Sequence, residues 1–96
     1  MKFYFLNLII GFILFSETYF TVGQRGGMTL EHARYDSEGQ FLISRIRALD
    51  LAVAGQGGSA IIMAGGIGRT NVTIRLQSRV GQGYHFFVDI WGSRIN

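Results

Sequence analysis

Cysteine and proline are both absent from the 96-residue chain. The lack of cysteine excludes disulfide bonds and removes the thiolate ligands of structural zinc sites. Without proline, chain reversals must be made by glycine, asparagine, aspartate and serine, and glycine is frequent, at 14 residues. A body of this size gains only a few kcal/mol from a single core. Its stability must therefore come from a well-packed sheet, from self-association, or from both.

Charge is also scarce, at 16% of residues, whereas 48% of residues are hydrophobic. This balance suits one folded domain and is unlike that of a disordered chain. Lys2 is the only lysine, and the arginines are scattered with no basic run, so there is no nuclear-localisation signal or polybasic tail. A net charge of +3 is weak support for nucleic-acid binding, and we expect no direct contact with nucleic acid.

The N-terminus resembles a secretory signal peptide. Lys2 precedes an apolar run at residues 3–15, which Asn7 alone interrupts and which Glu17 ends. The run is shorter than the ~20 residues that a helix needs to span a bilayer. The alternatives are an uncleaved anchor or a buried core helix.

The cleavage site lacks an A-x-A motif. Ser16 and Thr18 can serve as the pair of small residues, and Thr21 with Gly23 is a second candidate. We predict cleavage after Thr18, with a hydrophobic signal helix in residues 1–18 and a single small β domain in residues 19–96. The mature protein is then secreted and extracellular, with no stable membrane anchoring.

Two C-terminal runs, residues 71–79 and 84–91, alternate between apolar and polar residues with period two. The intervening Gly81–Gln82–Gly83 predicts a hairpin. Its apolar cross-strand pairs are Ser78–Phe86, Leu76–Val88 and Ile74–Ile90, and its other face pairs Arg75 with Asp89. Phe87 and Trp91 fall on that second face. Either a second sheet, a loop or the N-terminal segment covers them, or they form an exposed aromatic strip for binding.

The remaining segments also favour strands. Residues 40–53 predict a strand with a β-bulge near Ser44–Arg45, which keeps Ile46 and Ala48 on the face of Phe41 and Ile43; a helix is the alternative. Residues 59–64 are short and apolar, as in a strand buried on both faces. Residues 29–35 suit a helix, an edge strand or an irregular lead-in, while residues 36–39 predict a turn and 55–58 a loop. The prediction is an all-β fold, a small antiparallel sheet or incomplete β-sandwich of about four to six strands.

The glycine clusters do not have the pattern of phosphate-binding loops. Gly65–Gly68 (GGIG) leads into an alternating run, without G-x-G-x-x-G spacing or a G-K-[ST] ending, so turns explain it. His32 and His85 are the only histidines, and the carboxylates show no paired spacing. We therefore predict no enzyme activity, no catalytic residue, no cofactor site and no metal site.

One short motif predicts a modification. Asn71–Val72–Thr73 matches the N-x-[ST] acceptor pattern for N-glycosylation. If the chain enters the secretory pathway, Asn71 is the expected glycosylation site.

Four segments together carry a family resemblance: VGQRG at 22–26, IRALD at 46–50, GQGGSAIIMAGGIG at 55–68 and VTIRLQSRVGQGYHFFVDIWG at 72–92. They resemble the insect multiprotein bridging factor 2 family, whose members are also described as transcription activators or probable salivary secreted peptides. The resemblance implies a non-catalytic binding role in saliva or body fluid, with a protein partner or small ligand that the sequence does not name. The alternative that it implies is a transcriptional coactivator bridging a nuclear receptor and general transcription factors through protein–protein contacts. The signal-like N-terminus favours secretion, because a cleaved signal denies access to the nucleus.

Overall fold

The computed structural model describes residues 11–53 and 57–95, which form six β-strands and contain no helix. The strands are β1 (Phe12–Thr21), β2 (Leu30–Asp36), β3 (Phe41–Asp50), β4 (Gly58–Gly65), β5 (Asn71–Ser78) and β6 (Tyr84–Arg94). The predicted all-β class is confirmed. The described part of the chain accordingly offers no helix with the length and apolarity to cross a membrane.

The predicted signal helix is not shown. Residues 1–10 of the apolar N-terminal run lie outside the described residues, and its later part, from Phe12 onward, belongs to strand β1. The predicted cleavage after Thr18 stays a prediction and falls inside this strand. Of the predicted loop at residues 55–58, residues 55 and 56 also lie outside the described range.

The six strands form two antiparallel sheets of three strands each. Sheet A has the order β1-β6-β3, and sheet B has the order β2-β5-β4. Each strand with period-two alternation directs its apolar residues to one face of its sheet. The apolar faces of the two sheets pack against each other and form one core. The buried core residues are Ala33, Ile43, Val72, Ile74, Leu76, Tyr84, Phe86, Val88 and Ile90.

The predicted hairpin between β5 and β6 is wrong. Both strands exist and bury the predicted apolar sets, but β5 is the centre of sheet B and β6 is the centre of sheet A. Ser78–Phe86, Leu76–Val88 and Ile74–Ile90 are therefore not cross-strand pairs; these side chains reach the interior from opposite sheets. The reason is that alternation specifies which side of a strand is buried, and a strand that crosses to the opposite sheet shows the same alternation as one that pairs locally.

The connection at residues 79–83 makes this crossing. Gly81 has a φ of 78°, which a residue with a side chain rarely adopts, and its N–H donates to the carbonyl oxygen of Gly27 at 2.6 Å. The Arg75–Asp89 pair is wrong for the same reason as the hairpin. Asp89 instead forms an ion pair with Arg47 of β3, with 2.7 Å between Nη2 and Oδ2.

Strand β3 confirms the predicted bulge. Its register with β6 shifts between Ile43 and Arg45, close to the predicted Ser44–Arg45 position. The extra residue restores the inward direction of Ile46 and Ala48, which pack against the core beside Ile43. The helix alternative for this segment is wrong.

The edge strands of sheet B are β2 and β4. The edge-strand alternative for residues 29–35 is correct, and the turn at 36–39 is confirmed by the Glu38 N–H, which donates to Asp36 Oδ1 at 2.8 Å. Residues 59–64 do form a strand, but the prediction that both of its faces are buried is wrong, since Ile61, Ile62 and Met63 are exposed. An apolar run cannot show whether a strand has neighbours on both sides.

The glycine-rich segment before β5 is a turn, as predicted. Gly66 has a φ of 121° and its N–H donates to the Asn71 carbonyl oxygen at 2.9 Å. The chain then enters strand β5 rather than a helix, so the glycines present no helix N-terminus to an anion.

Candidate functional site

The outer face of sheet A, which points away from sheet B, carries the aromatic residues that the sequence left unassigned. Along β6 the residues His85, Phe87, Asp89 and Trp91 alternate with the core residues and therefore point outward. Phe87 and Trp91 are half-buried. Their cross-strand neighbours lie on β1 and β3, and sheet B packs on the opposite side of sheet A. Among the described residues no second sheet lies on this outer face, and the flanking side chains of β1 and β3 shield Phe87 and Trp91.

One end of this face is apolar and open. The Phe20 ring contacts His85 edge-on, with 5.4 Å between centroids and an interplanar angle of 85°. Leu49 pairs with Phe87, and the Leu51 N–H donates to the His85 carbonyl oxygen at 2.8 Å. Phe20, Leu49 and Leu51 are all exposed.

A cavity of about 270 Å³ opens at this end, between the end of β1, the segment after β3 and the start of β6. Its apolar side chains and backbone groups suit a small ligand that is mostly apolar. Its lining residues are Phe20, Thr21, Val22, Gly23, Leu51, Ala52, Val53, Gly83, Tyr84 and His85.

Tyr84 anchors the inner wall of the cavity. Its side chain is buried in the core, and its hydroxyl donates to Glu31 Oε1 of the opposite sheet at 2.5 Å. Burial, followed by this hydrogen bond and the charge of Glu31, raises the pKa of Tyr84 well above its usual range. The phenol thus stays protonated at physiological pH and ties the two sheets together beside the cavity.

The other end of the outer face carries an ion pair and a cation–π contact. Asp89 is almost completely buried, with 4% of its side chain exposed, whereas 45% of the Arg47 side chain is exposed. The Arg45 guanidinium lies 5.8 Å from the centre of the Trp91 ring, within cation–π range. Asp89 Oδ1 and Trp91 Nε1 are buried without a hydrogen-bond partner. The cavity lies at the apolar end instead, which is therefore the candidate binding site.

The two histidines lie far apart in the fold. His85 is on the outer face of sheet A, and His32 pairs with Arg75 in sheet B. Across residues 11–53 and 57–95, no three histidine or carboxylate side chains gather in a way that could hold a metal ion. The prediction that the protein is not an enzyme remains untested.

Asn71, the predicted glycosylation site, is the first residue of β5 and is exposed beside the Gly66 turn. Its position leaves room for a glycan. Occupancy itself stays a prediction.

Sequence analysis missed the open apolar end. The sequence predicts no strand at Phe20, which follows the predicted signal segment, and it assigns Leu49 and Leu51 to a strand without a binding role. The signal was present in the outward alternation of residues 47, 49 and 51 after the bulge. That alternation becomes informative only once the bulge has fixed which residues face the core.

Comparison with known proteins gives two matches. The model of the family described as Transcription activator MBF2 matches residues 16–92. A protein of Bombus ignitus named "Probable salivary secreted peptide" is 31% identical over 91 residues, which cover 88% of this chain and 68% of that protein. No solved structure matches the chain. The family match extends from within β1 almost to the end of β6 and so includes both central strands.

Proposed function

The chain belongs to the Transcription activator MBF2 family, and we propose that it is a secreted protein with a non-catalytic binding role in saliva or another body fluid. The observation that carries the binding role is the open apolar end of the outer face of sheet A, with its cavity of about 270 Å³. The location is supported by the signal-like N-terminus and by the name of the bumblebee relative.

The cavity favours a small, mostly apolar ligand. Its volume is close to the lower limit of roughly 300 Å³ for small-molecule pockets. Phe20 and His85 offer aromatic surface to such a ligand. Phe20 and Thr21 of β1 pair with His85 and Tyr84 of β6 in the cavity wall, so that part of the site is held in place before a ligand binds.

A matched pair of variants tests this site. Val53 lines the cavity and is 66% exposed, and Val80, in the connection at 79–83, is 65% exposed and lies outside the cavity. We expect Val53→Ser to weaken binding of the neutral fluorophore N-phenyl-1-naphthylamine about fivefold, from about 1 kcal/mol of lost apolar contact. Val80→Ser should leave the affinity unchanged. Equal effects of the two variants on the affinity would show that the cavity is not the binding site.

The alternative function is transcriptional coactivation through protein–protein contacts. The description of the family as a transcription activator favours this alternative. The two functions differ in location, since a coactivator must reach the nucleus.

Expression of the full chain in insect cells separates the two. A secreted protein collects in the medium with a shortened N-terminus, and replacing Leu6 and Leu8 with arginine should retain it in the cell by interrupting the apolar run. Intact protein in the nucleus would favour coactivation instead.

Glycosylation gives an independent readout of the same question. Thr73→Val abolishes the acceptor motif without altering Asn71, and Thr73→Ser preserves it. A glycosidase should therefore lower the mass of wild type and of Thr73→Ser, but not of Thr73→Val. Such a result would require passage through the secretory lumen.

A further inference from the structure

Strand β4 lies at the edge of sheet B, and in the described part of the chain its outer side pairs with no other strand. We propose that β4 pairs antiparallel with β4 of a second copy, about a two-fold axis. The two copies of sheet B then form one continuous six-stranded sheet. This proposal does not depend on the proposed function.

The four edge strands of the sandwich differ in how they are protected. Natural proteins discourage pairing at sheet edges with charged residues, bulges or covering segments. β1 contains Glu17, β2 contains three charged residues and a histidine, and β3 contains Arg45, Arg47 and Asp50. β4 has no charged residue and lies within an uncharged stretch at 51–68.

Strand β3 has a second protection. At its bulge, the Ile43 N–H donates to the Arg69 carbonyl oxygen at 2.8 Å, and the Gly68 N–H donates to the Ile43 carbonyl oxygen at 2.8 Å. The turn before β5 thereby closes part of the β3 edge. In the described part of the chain, β4 is paired only with β5.

Strand β4 places exposed apolar side chains on both faces of sheet B. Ile61 pairs with Arg75 and lies on the outer face, whereas Ile62 pairs with the core residue Ile74 and lies at the inner rim. Both isoleucines are exposed. A strand added at this edge would bury them further, on both sides of the sheet, while satisfying the free backbone groups.

A second copy fits this edge because the strand is compatible with itself. Two-fold symmetry sets β4 antiparallel to its own copy, and with no charges present no like charges are opposed. The assembly ends at the dimer, since both outer edges of the extended sheet are β2 strands, which carry Glu31, Arg34 and Asp36.

The bulge in β4 limits the interface. The register with β5 shifts between Ile62 and Ala64, so the regular segment available for pairing is residues 58–62. An interface of one short strand is small, and we expect a dissociation constant on the order of 10 μM.

Sedimentation equilibrium of the purified wild-type protein, from about 1 to 500 μM, tests the proposal. We expect a monomer–dimer equilibrium that Ile61→Lys weakens at least about tenfold, through the charge that it brings to the strand edge. The matched control is Leu30→Lys, which adds the same charge to the same outer face on the opposite edge strand. Leu30 is 49% exposed and Ile61 is 44% exposed. The control should dimerise like wild type.

A wild type that stays monomeric over this range would overturn the proposal, and so would equal effects of the two lysine variants. If circular dichroism shows that Ile61→Lys does not fold, amide hydrogen exchange of the wild-type protein tests the proposal instead. Amides of residues 58–62 should become more protected as the protein concentration rises, while those of β2 should not. Protection of β4 that is independent of concentration would equally overturn the proposal.

Discussion

Shortening strand β1 should destabilise the whole sandwich. The predicted cleavage after Thr18 would leave Tyr19–Thr21 of this strand, whereas a chain beginning at Phe12 keeps all of it. The lost segment, residues 12–18, includes two residues packed against the core, Leu14 and Phe15. It also includes most of the pairing between β1 and the central strand β6.

The size of the effect follows from these contacts. Leu14 and Phe15 are half-buried, which corresponds to about 1 kcal/mol each. The Phe15 ring lies 5.9 Å from that of Tyr35, and this contact contributes about 0.5 kcal/mol more. The lost backbone hydrogen bonds, at about 0.5–1.5 kcal/mol each, are largely offset by the conformational entropy that the removed residues regain. We therefore expect a loss of about 2–3 kcal/mol.

Urea unfolding followed by Trp91 fluorescence measures this loss. The chain beginning at Tyr19 should unfold at a clearly lower urea concentration than the chain beginning at Phe12. Its melting temperature should fall by roughly 10–20 °C, since about 1 kcal/mol shifts a domain of this size by about 4–8 °C. Phe15→Ala in the longer chain should reproduce about half of the loss. Equal midpoints for the two chains would refute the structural role given to β1.

Three further predictions concern the core, pH and charge. Leu76→Ala should cost about 2–5 kcal/mol in urea unfolding because Leu76 is fully buried, while Val80→Ala should stay within about 0.5 kcal/mol of wild type; similar costs would contradict the assigned core. Because folding raises the pKa of Tyr84, its stabilising contribution is complete below its unfolded pKa of about 10 and is lost as pH rises beyond it. The free energy of unfolding should therefore decline less steeply between pH 8 and 11 in Tyr84→Phe than in wild type. An equal decline in the two proteins would count against the role assigned to Tyr84. Arg47→Ala should cost about 1–2 kcal/mol by leaving the Asp89 carboxylate buried without its partner; adding Asp89→Asn should recover part of that loss, and failure to recover it would indicate that Arg47 acts through packing.

The candidate site was only partly predictable. The sequence indicated that Phe87 and Trp91 face away from the apolar side of β6, and the structure agrees. It did not indicate that Phe20 lies beside His85, because those residues come from distant parts of the chain and meet only through the pairing of β1 with β6. The direction of a side chain along one strand follows from the local sequence, whereas a cavity forms only where several strands and loops meet.

The sequence by itself determined that the segments of β3, β5 and β6 are strands and which side of each is buried. Period-two alternation in β5 and β6, and the bulge in β3, are local properties of side-chain direction. Only the tertiary structure decided that β5 and β6 lie in different sheets, that β4 is an edge, and that residues from Phe12 onward complete sheet A. Backbone hydrogen-bonding groups are the same in every residue, so the choice of partner strand depends on how the whole chain fills one core.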